Sequence, residues 1–234
     1  MAIIVKGEKI ASQILQKTTQ KIKVLRKKGI IPCLGVILVG QNKISEIYIN
    51  KKRTVCDQVG VKFILKKYSS KISTSKLIQK IREFQEKEKL SGLIVQLPLP
   101  KKIDSNKVLN TIKPELDVDY LTERNLGKLI SRNYQIEPPT AGAILEILRY
   151  YKIGLKGKKV VLIGAGFLVG RPLSNLLLYK GATLMVCNKE TKNLNEIIKQ
   201  ADILITGVGK RNLVRGSMLK KGIIIVDAGI SFYR

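Results

Sequence analysis

The chain has 234 residues, with 44 Lys and Arg against 17 Asp and Glu, a formal net charge of +27 and no histidine. Its 44% hydrophobic share supplies one large core or two small ones and excludes disorder as the dominant state. No stretch reaches the roughly 18 uninterrupted apolar residues of a spanning helix, and charge begins at Lys6, Glu8 and Lys9; the expectation is a soluble, unexported cytoplasmic protein without membrane contact.

In chain order, Ile10, Ile14, Ile22 and Leu25 recur at helical spacing and predict an amphipathic helix from Ile10 to about Lys28, closed by Gly29. The apolar run Cys33–Val39 reads as a buried strand. A helix over Ser45–Val59, a strand over Val61–Tyr68, a helix from Thr74 to about Lys87 and a strand within Gly92–Leu97 complete a βαβαβ alternation, the pattern of a parallel sheet. After a turn-rich connection with Pro138-Pro139 comes a helix through Ala143 to Tyr151. Strands follow at Lys159–Ile163, Thr183–Cys187, Ile203–Thr206 and Ile223–Val226, with helices around Leu168–Tyr179 and Leu194–Lys199. The fold class is therefore α/β, as two units joined near residue 140.

Without histidine, Ser-His-Asp hydrolysis and histidine-based metal sites are excluded, and proton transfer falls to Lys, Tyr, Asp, Glu or Cys. Cys33, Cys56 and Cys187 are odd in number and scattered, so neither a disulfide framework nor a zinc site is expected; they read as small buried residues in a reducing compartment. No metal site is indicated.

Strand Lys159–Ile163 runs into Gly164-Ala165-Gly166-Phe167-Leu168-Val169-Gly170, followed by Arg171. Glycines between a strand and a helix let the backbone approach a pyrophosphate, whose charge meets the helix N-terminus; a tight turn without a ligand is the alternative. The next strand ends in Cys187-Asn188-Lys189, where Asn188 tolerates and Lys189 attracts a ribose phosphate, favouring NADP over NAD, although Glu190 stands close by.

Tyr48 and Lys52 stand four apart on one helical face, and Lys51 and Arg53 flank the amine, which like charges and partial burial would push toward neutrality. A solvated helix face is the plain alternative. Within Gly92–Pro100 a buried strand ends in Gln96, after which Pro98 and Pro100 forbid strand or helix, and Gln96 falls where sheet ligands bind. Asp117 and Asp119 form an acidic island; either can accept hydrogen bonds from a heterocycle or cap a turn.

Taken together, these segments resemble the bifunctional methylenetetrahydrofolate dehydrogenase/methenyltetrahydrofolate cyclohydrolase family. The family's Y-V-x-x-K appears as Tyr48-Ile49-Asn50-Lys51-Lys52, G-I-x-V-Q-L-P-L-P as Gly92–Pro100, D-V-D-G as Asp117-Val118-Asp119-Tyr120, and V-G-R-P as Val169–Pro172. Ala201–Ile205 with Val208-Gly209-Lys210, and Val226–Ile230, are similar to A-D-I-x-x-x-A-V-G-K and I-D-V-G-I. The resemblance implies a three-layer α/β folate domain over residues 1–140 and a Rossmann-like NADP domain over 141–234, with the reaction in the cleft between them and a homodimer formed through the Rossmann-like domains. It implies that Lys52 handles the proton of the cyclohydrolase step, Tyr48 stacks on the folate, Gln96 holds and tunes Lys52, and Asp119 binds the pterin, with Leu97 and Pro98 also lining the substrate. Cofactor contacts are implied for Gly164, Ala165, Gly166, Val169, Gly170, Arg171, Pro172, Asn188, Lys189, Gly207, Val208 and Gly209.

Departures from the pattern are specific. The family's G-R-S turn is Gly164-Ala165-Gly166 here, C-H-S is Cys187-Asn188-Lys189, and P-C-T-P-x-G is Pro138-Pro139-Thr140-Ala141-Gly142-Ala143. Tyr120 replaces the glycine of D-V-D-G, with crowding of the substrate expected. No counterpart of G-D-V or P-G-G-V-G-P-M-T follows Ile230, so a partial sequence or a variant with a more open cleft is expected. Two other readings are a non-catalytic binding homologue and a nucleic-acid binder drawn by the charge; for the latter, the basic residues are spread rather than clustered, aromatics are only 5%, and no RNA-binding motif appears.

Overall fold

The computed structural model describes residues 3–229, so Ile230 of the last motif lies outside the described residues. The chain divides into two compact units, Met1–Asn125 and Leu126–Arg234.

The first unit begins with α1 (Gly7–Lys27), β1 (Cys33–Val39), α2 (Lys43–Val59) and β2 (Lys62–Tyr68). It continues with α3 (Thr74–Lys87), β3 (Gly92–Val95) and the short α4 (Ser105–Leu109). Its sheet has the order β2-β1-β3, with both pairs parallel. The central β1 is apolar on both faces because helices cover both. Val36 and Leu38 meet Ile49 of α2, whereas Gly35, pointing the other way, faces Phe84 of α3. A Cβ on Gly35 would lie 2.8 Å from that ring, so glycine sets how closely α3 approaches β1. Val36, Ile37 and Leu38 are essentially inaccessible, each contributing about 1.5–3 kcal/mol by burial. Side-chain oxygens of Asn42 and Ser73 accept the orphan N–H groups of Ser45 and Lys76, which fixes where α2 and α3 start.

In the second unit α5 (Glu123–Ile130, begun in the first unit) precedes α6 (Pro139–Tyr150), β4 (Lys159–Ile163), α7 (Gly170–Tyr179) and β5 (Thr183–Cys187). After these come α8 (Leu194–Lys199), β6 (Ile203–Thr206) and β7 (Ile224–Asp227). The sheet order is β5-β4-β6-β7, all parallel. Val161, Ile163 and Leu204 pack with Ile198 of α8 on one face, and α7 lies against β4 and β5. The fold class is the expected α/β one, with a parallel sheet in each unit.

Three local expectations are corrected. Ile14 is 46% exposed and does not join the buried stripe of α1, which runs through Ile10 and Ile22. The strand after Gly92 ends at Val95, leaving Gln96 and Leu97 outside it. The helix after the glycine turn starts at Gly170 rather than Leu168, because residues 164–169 are spent on the turn.

Candidate active site

On α2, Ser45, Ile49, Lys52 and Cys56 fall on one face at spacings of four, three and four. Ser45, Ile49 and Cys56 are buried, Tyr48 and Lys52 half-buried, and Lys51 and Arg53 exposed. The Gln96 N–H donates to the Ile37 carbonyl at 2.9 Å, which carries the β3 pairing one residue past the strand. From there the Gln96 side chain meets the helix: Lys52 Nζ donates to Gln96 Oε1 at 2.9 Å. Gln96 Nε2 donates to the Leu97 carbonyl at 2.9 Å. That second bond fixes the amide so that its oxygen, the end that accepts from an amine, faces Lys52. Ser45 Oγ also donates to the Leu97 carbonyl, at 3.5 Å. Sequence reasoning missed Ser45; its spacing of seven from Lys52 was the available signal.

Burial pushes the Lys52 ammonium below the ordinary lysine value, and the nearby Asp119 carboxylate opposes the shift. The expected contribution of Lys51 and Arg53 is not what lowers it; both point outward, and the Arg53 guanidinium lies 5.3 Å from the Phe63 ring centre. Asp119 is pushed upward, first by burial, with Lys52 opposing and Asp117 adding to the rise.

The two aspartates have different jobs. Asp117 is 3% exposed, and its oxygens accept the backbone N–H groups of Leu121 (3.0 Å) and Thr122 (2.8 Å) and the Asn125 amide (3.0 Å). It is the turn cap. The same loop is tied to β3 by the Leu93 N–H donating to the Leu116 carbonyl at 2.7 Å. Gly92 makes room for it, since a Cβ there would lie 2.5 Å from Val118 Cγ1. Asp119 lies in the electrostatic neighbourhood of Lys52, and among the described residues its carboxylate accepts no hydrogen bond. Tyr120 adopts φ 61°, the left-handed region that favours glycine, but its ring is 4% exposed. It is a core residue, so the expected crowding of open substrate space does not arise from it.

In the second unit, the Gly164 N–H donates to the Cys187 carbonyl at 2.8 Å, clamping the glycine turn to the end of β5. Gly164 has φ 115°, and a Cβ on Gly170 would lie 1.9 Å from the Gly164 carbonyl oxygen. Only glycine closes this turn. Gly166, by contrast, is exposed with nothing within 4 Å of where a Cβ would be, so its backbone is open to a ligand. Arg171 bends back over the turn, its N–H donating to the Gly166 carbonyl at 3.0 Å and Nε to the Ala165 carbonyl at 3.3 Å. Pro172 is buried and Val169 half-buried. The Gly207 N–H donates to the Ile163 carbonyl at 3.1 Å, which brings exposed Gly207 and Val208, with Gly209, to the same end of the sheet. Beyond β5, Asn188 Oδ1 accepts from the Glu190 N–H, the Asn188 N–H donates to Thr191 Oγ1, and Lys189 and Glu190 are exposed 3.5 Å apart. An open glycine backbone at a helix start, a cation over it and exposed polar groups beyond the second strand fit a dinucleotide. Among the described residues no cluster of three metal-ligating side chains occurs.

The family model "Tetrahydrofolate dehydrogenase/cyclohydrolase, catalytic domain" matches residues 5–119, and that family's NAD(P)-binding domain model matches residues 138–234. The chain belongs to the tetrahydrofolate dehydrogenase/cyclohydrolase family. It is 42% identical to the bifunctional protein FolD of Aquifex aeolicus, covering 99% of this chain and 80% of that protein. It is 38% identical to the Thermodesulfovibrio yellowstonii FolD over 98% and 80%. Among solved structures, the bifunctional FolD of Campylobacter jejuni superposes with TM-score 0.91 at 35% identity, covering 94% of this chain and 78% of that one. The Trypanosoma brucei methylenetetrahydrofolate dehydrogenase-cyclohydrolase, solved with NADP cofactor and an inhibitor, gives TM-score 0.93 at 32% identity over 98% and 80%. The match runs through both units: the catalytic-domain model spans Lys52, Gln96 and Asp119, and the NAD(P)-binding-domain model spans the glycine turn.

Proposed function

We propose that this chain oxidises methylenetetrahydrofolate to methenyltetrahydrofolate with NADP and hydrolyses that product to formyltetrahydrofolate. The observation that carries the reading is the half-buried Lys52 amine held on Gln96 at 2.9 Å. The first unit supplies the folate and proton-handling groups, and the second unit supplies the dinucleotide site. Bound NADP supplies the hydride acceptor, held by Gly164–Pro172, Asn188, Lys189 and Gly207–Gly209.

The chemistry of the remaining groups follows from their surroundings. Asp119 accepts hydrogen bonds from the amino and ring N–H groups of the pterin, Tyr48 stacks on the folate, and Leu97 and Pro98 border it. Hydride loss leaves a methenyl cation. A fixed ammonium beside that cation would repel it; Lys52, whose charged form is disfavoured by burial, sheds its proton readily and takes one from the attacking water. Gln96 then serves as a neutral acceptor that orients the amine without adding charge, while its own orientation is held by the Leu97 carbonyl.

Purified protein given methylenetetrahydrofolate and NADP should generate reduced dinucleotide, and given methenyltetrahydrofolate alone should open it. A folded protein that binds both ligands but turns over neither would reject the reading. A homodimer through the C-terminal domains is supported by the edge position of β5 and by exposed Val186 and Leu178 (43% and 55%), and light scattering at twice the chain mass is expected. Cytoplasmic residence is supported by three free, buried cysteines.

A further inference from the structure

The second unit has a concentration of unspent charge at the end of its sheet away from the glycine turn. Two cavities of about 370 and 350 Å³ meet there, sharing Ile153, Gly154 and Lys158. Lys158, Asp202 and Gly222 precede β4, β6 and β7, which places both cavities at the N-terminal edge of the parallel strands, whereas the dinucleotide groups stand at the C-terminal ends. The floor is aliphatic, from Leu145, Leu148, Ile153 and Leu155. The rim is cationic.

Several of these cations already have an occupation. Arg149 pairs with Glu146 and Glu137, and Lys220 pairs with Asp202 at 2.7 Å. Lys180 follows the last turn of α7, where a cation complements the helix's carbonyl end. Lys156 and Lys221 have no such role: neither caps a helix, and among the described residues neither makes an ion pair; Lys158 makes no direct ion pair either, but it lies in the field of the Asp202 carboxylate. The loop that carries Lys156 is fixed, because the Gly157 N–H donates to the Gly181 carbonyl at 2.8 Å and the Lys156 stem packs over Gly181. Lys156 and Lys180 are thereby held on one rim, with Lys158 between the cavities and Lys221 on the other side. Against the Asp202 carboxylate, already held by Lys220, the lysines Lys156, Lys158, Lys180 and Lys221 leave an excess of positive charge around the apolar concavities, and an anion offsets that excess.

We propose that this face is a second ligand site, independent of the dinucleotide site, for a nucleotide-like phosphate ester: an uncharged ring body on the aliphatic floor, with phosphates received by Lys156, Lys158, Lys180 and Lys221. The size of the cavities suits a small ligand, and the floor selects an ester with an organic body over a bare phosphate.

Isothermal titration with ATP as the probe, with and without saturating NADP, tests this. The expected result is one ATP bound in the presence of NADP, several-fold tighter than inorganic triphosphate. The K158E/K221E pair should weaken it about tenfold or more, with NADP affinity unchanged. A control pair, K17E/K21E on α1, makes the same change in net charge and should leave ATP binding nearly intact. If the glutamate pair disturbs folding, K156Q/K158Q reads the same loss with less perturbation. ATP displaced by NADP, equal weakening by the control pair, or equal affinity for inorganic triphosphate would each overturn the proposal.

Discussion

Tyr120 offers a worked test, because its backbone and its side chain make opposite demands. The left-handed conformation at φ 61° costs a residue with a Cβ about 1–2 kcal/mol relative to glycine. The ring, 4% exposed, returns more: an aromatic side chain buries about 150–250 Å², worth about 4–6 kcal/mol at 25 cal/mol/Å². Truncation to alanine should therefore cost about 3–5 kcal/mol, in line with other buried aromatic deletions, and it keeps the backbone penalty. Truncation to glycine loses the same ring and removes the penalty, so Tyr120→Gly should be less stable than the parent by about 2–4 kcal/mol yet more stable than Tyr120→Ala by about 1 kcal/mol. Urea unfolding followed by circular dichroism ranks the three proteins. An alanine variant as stable as the glycine variant would show that the backbone at this position carries no cost. Because the ring lies in the core, the KM for methylenetetrahydrofolate in folded Tyr120→Gly should remain within about twofold of the parent.

The two aspartates should separate cleanly. Asp117→Ala strands three donors in the core and should cost about 3 kcal/mol or more by urea unfolding, whereas Asp119→Asn should retain stability at neutral pH and lose folate binding by titration. The Asp119 carboxyl is raised by burial, so its ionised form costs stability at pH values above its folded pKa, and that cost fades as the pH falls through it. The melting-temperature advantage of Asp119→Asn over the parent should therefore shrink from pH 7 toward pH 4. In the glycine turn, Gly170→Ala forces a Cβ onto the Gly164 carbonyl and should unfold the second unit or abolish NADP binding. Gly166→Ala should leave the melting temperature unchanged and weaken NADP about tenfold, because the added methyl occupies the open approach to the backbone.

Much of the fold was legible because helical and strand periods coincide with burial. Cys33–Val39 reads as a run covered on both faces, and the structure covers both. The short α4 and the α5 helix were not legible: the five residues of α4 are too few to show a period, and their start depends on an Asp104 cap within a polar stretch. At the site, four-residue spacing put Tyr48 and Lys52 on one face, but only coordinates reveal the Gln96 contact, since the two residues are 44 apart in sequence. The cause of the Lys52 shift was misread for a related reason. Adjacent residues on a helix point in different directions, so Lys51 and Arg53 are sequence neighbours that face solvent while Lys52 turns inward. Likewise the D-V-D pair is symmetrical in sequence; the loop's hydrogen bonds assign capping to Asp117 and leave Asp119 open.

The most direct measurement is hydrolysis of methenyltetrahydrofolate by Lys52→Met across the pH range, alongside its melting curve. Burial disfavours the Lys52 charge, so the neutral methionine should fold at least as well as the parent at pH 7, while hydrolysis falls by about 10²–10⁴ and loses the parent's pH dependence. A folded Lys52→Met protein that opens methenyltetrahydrofolate at a rate close to the parent's, with the same pH profile, would contradict the assignment of that amine to proton transfer.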